Sequence, residues 1–340
     1  MDSRSKMPNL TSTSEFLLLE YSDIREVRII CFFVFLTVYL TAVTGNLLII
    51  LAVALDQHLH TPMYFFLMNL AILDLGSVSV TVPKAMASSL MNNWSISYSG
   101  CVAQVFLLLL FLQSDFFILT IMAHDRYVAI CNPLQYETIM HRGACIQMTV
   151  SAWIAGILNG VLHSGGTFFI TFCSNIIDQF FCEVPQILKL ACSDMYLVEV
   201  ALIIFGSSLG LGCFIFIIVT YVQIFAAVLR IPSVHGQKKA ISTCLPHLTV
   251  VCLLVFSGIF AYVRPHSYSS SDLNVLFAVI YAVVPPLLNP FIYSMRNKDI
   301  KNALLKLCDL SYFSKVGAKA EKALAHIEAK RTSHGPGAEA

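Results

Sequence analysis

The chain has 340 residues, 57% of them hydrophobic and only 12% charged, with a mean hydropathy of +0.75, whereas a soluble domain carries about 25% charged residues. That balance excludes a water-soluble globular protein. A formal net charge of +1, without any cluster of basic and aromatic residues, gives no reason to expect a nucleic-acid partner.

In chain order, residues 1–28 form a polar tail with a glycosylation sequon, Asn9-Leu10-Thr11, so Asn9 is the expected modified residue. Asn93-Trp94-Ser95 matches the same pattern but falls in a short loop against the bilayer. The tail has no short apolar core followed by a small-residue cleavage site, so no cleaved signal peptide is expected and the first span serves as the insertion signal. Apolar stretches follow at Ile29 to Leu55, Thr61 to Val82 (interrupted by Asp74), Val102 to Ala123 (interrupted by Asp115), Ala144 to Ile177, Val200 to Leu229, Ala240 to Val263 and Leu273 to Met295. A crossing takes about 20 apolar residues at ~1.5 Å each, so every stretch suffices for one helix. The predicted fold is an all-α membrane protein, a seven-transmembrane helix bundle over residues 29–295, followed by a tail at residues 296–340. With the amino terminus outside, Arg126, Arg142, Arg230, Lys238, Lys239, Arg296, Lys298, Lys301 and Lys306 lie inside, and only Lys84, Lys189 and Arg264 lie outside. Retention of basic loops in the cytosol selects that orientation, with the carboxyl terminus inside. Beyond Leu307 the tail turns Ala-, Lys- and Glu-rich, then Gly- and Pro-rich, and Lys315 to Lys330 reads as a surface helix.

Of eleven cysteines, Cys101, Cys173, Cys182 and Cys192 fall on the outer, oxidising side, where they can form bridges in any of three pairings. The others read as small apolar fillers. Stepping back from Arg126 by three and four gives Met122, Leu119, Asp115, Leu112, Leu108, Val105 and Cys101, one helix face that must look into the bundle because it carries an acid. Asp74 and Asp115 are the interior acids. Facing a common interior they would repel if both ionised, so they share a cation, a proton or water, or else each is a protonated, hydrogen-bonded packing acid. Gly45-Asn46 and "PPLLNPFIYSMRN" place amides beside a proline kink, a moving part or a fixed bend. There is no His-Glu-x-x-His, Gly-x-Ser-x-Gly, phosphate loop or spaced metal set, so no enzyme activity is expected. Asp125 and Arg126, an acid and a base at the water boundary, would contribute little to stability as an exposed pair.

"LHTPMYFFLMNLAILDL", "MAHDRYVAICNPLQY", "KAISTCLPHL" and "PPLLNPFIYSMRNKDIK", in this order, resemble the signatures of the olfactory receptor family of rhodopsin-like G-protein-coupled receptors, more the tetrapod-type than the fish-like branch. The resemblance implies a plasma-membrane receptor that binds small, mostly apolar volatile odorants and activates the olfactory stimulatory G protein to raise cyclic AMP. It implies bridges Cys101 to Cys182 and Cys173 to Cys192, and matches Asp74 and Asp115 to interior acids near which a sodium ion can bind. Asp125, Arg126 and Tyr127 would form the G-protein-coupling motif, with Asp125 restraining Arg126 and with Tyr221 and Tyr293 as partners in activation. A ligand pocket between the outer halves of the third, fifth and sixth spans would use Val105, Leu108, Leu109, Leu112 and Gln113; alignment with the family adds Phe205, Leu209, Phe260 and Arg264. Gln113 is the neutral polar group able to orient a ligand oxygen, unless a neighbouring helix satisfies it. Arg264 lies at the rim, as an acid selector or a headgroup anchor. The chain departs from the family at His124, where Tyr is usual, and at "VFSG", where Ser257 replaces an aromatic hydroxyl. The long tail and the residues before Met7 are also unusual. An ion-coupled transporter or channel is the rival reading, since interior acids and a broken helix also occur in ion pathways.

Overall fold

The computed structural model describes residues 14–20, 24–192, 196–262 and 271–308. Its helices are α1 (Arg25–Leu55), α2 (Pro62–Met91), α3 (Tyr98–Cys131), the short α4 (Tyr136–Ile139), α5 (Arg142–Phe168), the short α6 (Val184–Leu188), α7 (Tyr196–Leu229), α8 (Val234–Tyr262), α9 (Ser271–Arg296) and α10 (Lys298–Cys308). Six of them are long and apolar enough to cross a membrane, and α9 contributes a shorter apolar segment, Val279–Ser294. The seven-helix expectation therefore holds. Helix ends differ from the charge-free stretches: α1 begins at Arg25 and α2 runs on to Met91, because backbone hydrogen bonding continues into the headgroup layer where charged side chains are hydrated. The region from Lys315 to Lys330 and the Asn9 sequon lie outside the described residues.

The outer tail forms structure that its polar composition does not suggest. Three short strands, β1 (Glu15–Leu18), β2 (Ser95–Ser97) and β3 (Ile176–Ile177), make a sheet in the order β2-β1-β3, with β1 antiparallel to β2 and parallel to β3. Alternation explains the strand. Phe16 and Leu18 are buried while Glu15 and Leu17 face out, the period-two pattern of a half-covered strand. Phe16 packs edge-on against Phe168 and Phe172 and stacks on Tyr98, closing the tail over the outer end of the bundle.

Cys101 of α3 is bonded to Cys182, and Cys173 to Cys192. The first bridge ties the long outer loop to α3, and Gln104, one turn further in, reinforces it: its Oε1 accepts from the Cys182 backbone N–H at 2.8 Å while its Nε2 donates to the Val80 carbonyl of α2 at 2.9 Å. Beside this bridge, Phe180 and Phe181 plug the bundle mouth and Glu183 is buried to 6% exposure, accepting at Oε1 from the Tyr281 hydroxyl of α9 at 2.9 Å. Burial pushes the Glu183 carboxyl up to about 7, against opposing pulls from Tyr281, Gln179 and Lys189.

Helix α3 is the hub, packing on α2, α5, α7 and α8. Its approach to α5 is set by glycines. A methyl group at Gly156 would lie 2.6 Å from the Leu110 carbonyl, and one at Gly160 would lie 2.9 Å from the Phe106 carbonyl. This small-x-x-x-small seam lets two backbones meet in lipid, where dispersion and close packing replace the hydrophobic drive. The kink in α9 is sealed from α1: Pro290 removes the hydrogen bond that the Pro286 carbonyl would accept, and Asn46 Nδ2 donates to that carbonyl at 2.9 Å.

Two outcomes follow from this packing. Gly156→Ala should lower the melting temperature and surface expression, with overpacking costing about 1–3 kcal/mol, while Gly165→Ala, whose added methyl meets nothing within 4 Å, should be neutral or slightly stabilising; equal behaviour of the two variants would refute the close approach. For Glu183, a pKa raised from 4.5 to about 7 means the folded state binds the proton more tightly. Its contribution to stability is thus fully present below about pH 4.5 and is lost as pH rises through about 7. Melting temperature measured across that window should fall with pH in the wild type, and the slope should flatten in Glu183→Gln; an unchanged slope would assign the dependence to other groups.

Candidate functional site along the central helix

The inward face of α3 read from the sequence is observed: Cys101, Val105, Leu108, Asp115, Leu119 and Met122 are buried, and Leu112 is half-buried. At the outer end Val105 packs under the lid with Phe16 and Cys182, and Leu109 is half-buried against the same cluster. Leu108 belongs with Phe180, Phe181 and Tyr281, and Leu112 packs against that group. Gln113 is half-buried, and its Nε2 is shielded from solvent without a hydrogen-bond partner, so it is not satisfied by a neighbouring helix. Phe205 and Leu209 on α7 are 57% and 45% exposed and are not enclosed with the α3 residues among the described residues. Arg264 lies outside the described residues, as do the side chains of Phe260 and Ser257.

Midway along the bundle a cavity of about 10 Å³ is lined by Asp74, Ser77, Leu112, Asp115, Tyr281 and Pro286, among others, room for roughly one water molecule or small ion. Asn289 Nδ2 donates to Asp74 Oδ2 at 2.8 Å. Asp115 Oδ1, Ser77 Oγ and Asn289 Oδ1 are buried without partners, and among the described residues neither acid has an ion-pair partner. The two carboxylates thus meet at one small cavity whose lining is otherwise mostly apolar.

At the inner end, Asp125 is 1% exposed, bonded through Oδ2 to Arg126 at 2.9 Å and accepting at Oδ1 from the Tyr136 hydroxyl of α4 at 2.7 Å. This corrects the reading of an exposed pair. The inner loop folds back over the acid, and burial, followed by the Asp125 charge, pushes the Tyr136 phenol above its ordinary value, so it remains a donor. Tyr127 is half-buried and packs on the inner core.

A second inner connection was not anticipated. His247 of α8 is buried to 2%, with Nδ1 bonded to the Tyr221 hydroxyl of α7 at 2.8 Å and Nε2 bonded to the Leu119 carbonyl of α3 at 2.8 Å. The Leu119 carbonyl can only accept, which makes Nε2 the protonated nitrogen and Nδ1 the acceptor of the Tyr221 proton. One imidazole thereby clasps three helices. A histidine directly after Pro246 in an apolar helix was the available signal, and scattered histidines were read only for metal or catalysis. Tyr293 is buried, and its hydroxyl has no partner. His124 contacts the Phe216 ring of α7 at a centroid distance of 6.4 Å. Among the described residues no group of three or more His, Cys, Asp or Glu is placed to hold a metal ion.

Comparison with known proteins places this arrangement. An olfactory receptor family model matches residues 35–309. Human Olfactory receptor 14A16 is 50% identical over 299 residues, 88% of this chain and 96% of its own, and human Olfactory receptor 14I1 is 47% identical over 90% of this chain and 99% of its own. The crystal structure of squid rhodopsin shares the fold, with a TM-score of 0.66 at 17% identity over 84% of this chain and 82% of that one. The transporter or channel reading finds no support in these relatives. The chain belongs to the olfactory receptor family, and is a multi-pass plasma-membrane odorant receptor without enzyme activity.

Proposed function

We propose that a small, mostly apolar volatile molecule enters between the outer halves of α3, α7 and α8, and that its binding releases the inner clasp so that a stimulatory, olfactory-type G protein engages Arg126 and cyclic AMP rises. The observation that carries this reading is the single face of α3, which runs from the lid bridge at Cys101 past Asp115 and Leu119 to the Arg126 end. A ligand that moves the outer half of α3 against α7 and α8 acts on the same rigid rod whose inner half is fastened by His247, Tyr221 and Asp125. The energy of binding comes mainly from burying the ligand's apolar surface. Gln113 Nε2, a buried donor lacking a partner, would orient a ligand oxygen. Leu108, Leu109 and Val105 would supply the apolar wall, and Phe205, Leu209, Phe260 and Arg264 the opposite side.

A sodium ion is the proposed occupant of the small cavity between Asp74 and Asp115. Asp74 and Asp115 offer the negative charge, and the orphaned oxygens of Asp115 and Ser77 offer hard donors of the kind such cations take. Bound there, the ion would offset the repulsion of the two carboxylates and favour the compact state. In purified receptor, sodium should raise the melting temperature relative to N-methylglucamine by mass action on the folded state, and Asp115→Asn should abolish the difference. A sodium effect of equal size in the variant would remove the ion from this cavity.

For the coupling role, truncating Arg126 alone would leave a buried carboxylate uncompensated and destabilise the fold. Asp125→Asn combined with Arg126→Gln removes both charges together. The double variant should reach the cell surface yet give no odorant-evoked cyclic AMP; a normal response from a surface-expressed double variant would contradict the assignment.

A further inference from the structure

A groove of about 630 Å³ lies on the flank of the bundle at its cytoplasmic end, between the end of α1, the start of α2 and the start of α5. Ala54, Phe65, Met68 and Ile146 line its apolar length, and its polar rim is made by Arg142 and His60. Ala54 and Ile146 are exposed, so the apolar length opens to the bilayer. No acidic residue is among the described residues that line it. Arg142 is exposed and forms no ion pair or side-chain hydrogen bond among the described residues.

We infer that this groove is a binding site for an anionic phospholipid of the cytoplasmic leaflet, its headgroup at Arg142 and His60 and an acyl chain along Phe65, Met68 and Ile146. Three observations select that occupant. The position is the inner boundary, fixed by the cytoplasmic ends of α1, α2 and α5, where anionic lipid is concentrated and attracts basic side chains. The rim is of one sign, with a cation that has no protein partner and no acid to compete. The amino ends of α2 and α5 both open at the rim: Thr61 makes no side-chain cap on α2, and in α5 the His141 cap reaches only the Ala144 N–H, leaving first-turn N–H groups whose partial positive charge favours a phosphate. A sterol hydroxyl would leave Arg142 unmatched, and phosphatidylcholine carries its own cation to the rim.

The test uses full-length receptor in phosphatidylcholine nanodiscs containing a minor fraction of phosphatidylserine, with lipid retained per receptor counted by native mass spectrometry after transfer to detergent. Phosphatidylserine should be retained in preference to phosphatidylcholine, and added salt should release it by screening. Retention should fall roughly fivefold in Arg142→Gln, the scale of one basic residue at a membrane surface. Ala54→Trp, which fills the apolar length, should lose it as well. Arg230→Gln, an exposed inner cation at the end of α7, should retain it. Equal retention of the two phospholipids, unchanged retention in Arg142→Gln, or displacement of phosphatidylserine by cholesterol would each overturn the proposal. If Ala54→Trp fails to fold, Arg142→Gln and the salt titration of wild type decide.

Discussion

Hydrocarbon offers no water, so a polar group that enters the bundle is stabilised by a partner within the protein, and several of these partners lie on other helices. In this receptor that requirement generates the long-range order. Asn46 of α1 serves the carbonyl that Pro290 frees in α9, Asn289 of α9 serves Asp74 of α2, Gln104 of α3 serves both α2 and the outer loop, and His247 of α8 serves α7 and α3. Apolar side chains can slide against lipid or one another at little cost. A directed hydrogen bond cannot, and these few bonds fix the registry of helices whose surfaces are otherwise nearly uniform in polarity.

In the proposed mechanism the same bonds are what the bundle exchanges when it switches. Packed interiors have discrete arrangements rather than a continuum, and a bond such as that between His247 and the Leu119 carbonyl is either made or exchanged for another. The outer end is held by a covalent bridge at Cys101 and a sheet that pins the tail, so it is the more constrained end of α3. The inner end has no covalent tie and is held by packing and by hydrogen bonds through Asp125, Tyr136, Tyr221 and His247. Displacement introduced near the middle of α3 is therefore released at the inner end, where Arg126 lies. At the cytoplasmic edge Lys306 of α10 donates to Asp56 at 2.7 Å and holds that carboxyl below its ordinary range, so α10 is anchored to the loop after α1.

Much of this was legible before any coordinates. Long charge-free stretches and the asymmetry of Lys and Arg gave the bundle and its orientation, because bilayer thickness and retention of charge act on composition directly. The face through Cys101, Asp115 and Leu119 followed from helical period and the cost of exposing an acid to lipid. Pairing of the outer cysteines did not follow from the residues, since three pairings are equally consistent with outer placement, and it came only with the family resemblance. Three features were missed for physical reasons. Strand β1 is too short for its alternation to stand out in a polar tail, and it is stabilised by β2 and β3, which are distant in sequence. Gly156 and Gly160 carry no local signal that separates a packing seam from helix-tolerated glycine. His247 and Asp125 owe their behaviour to partners on other elements, so a helix-end acid was read as hydrated when Tyr136 in fact covers it.

The most direct check on the inner clasp is the distance between spin labels at Glu137, in α4, and Lys238, on α8, both exposed, in receptor reconstituted with and without an activating odorant. The expected result is a short distance without ligand, a longer one with ligand, and a His247→Phe receptor that populates the longer distance with no ligand present. A distance that stays unchanged while the odorant raises cyclic AMP through the same labelled receptor would show that signalling does not require α8 to leave α3.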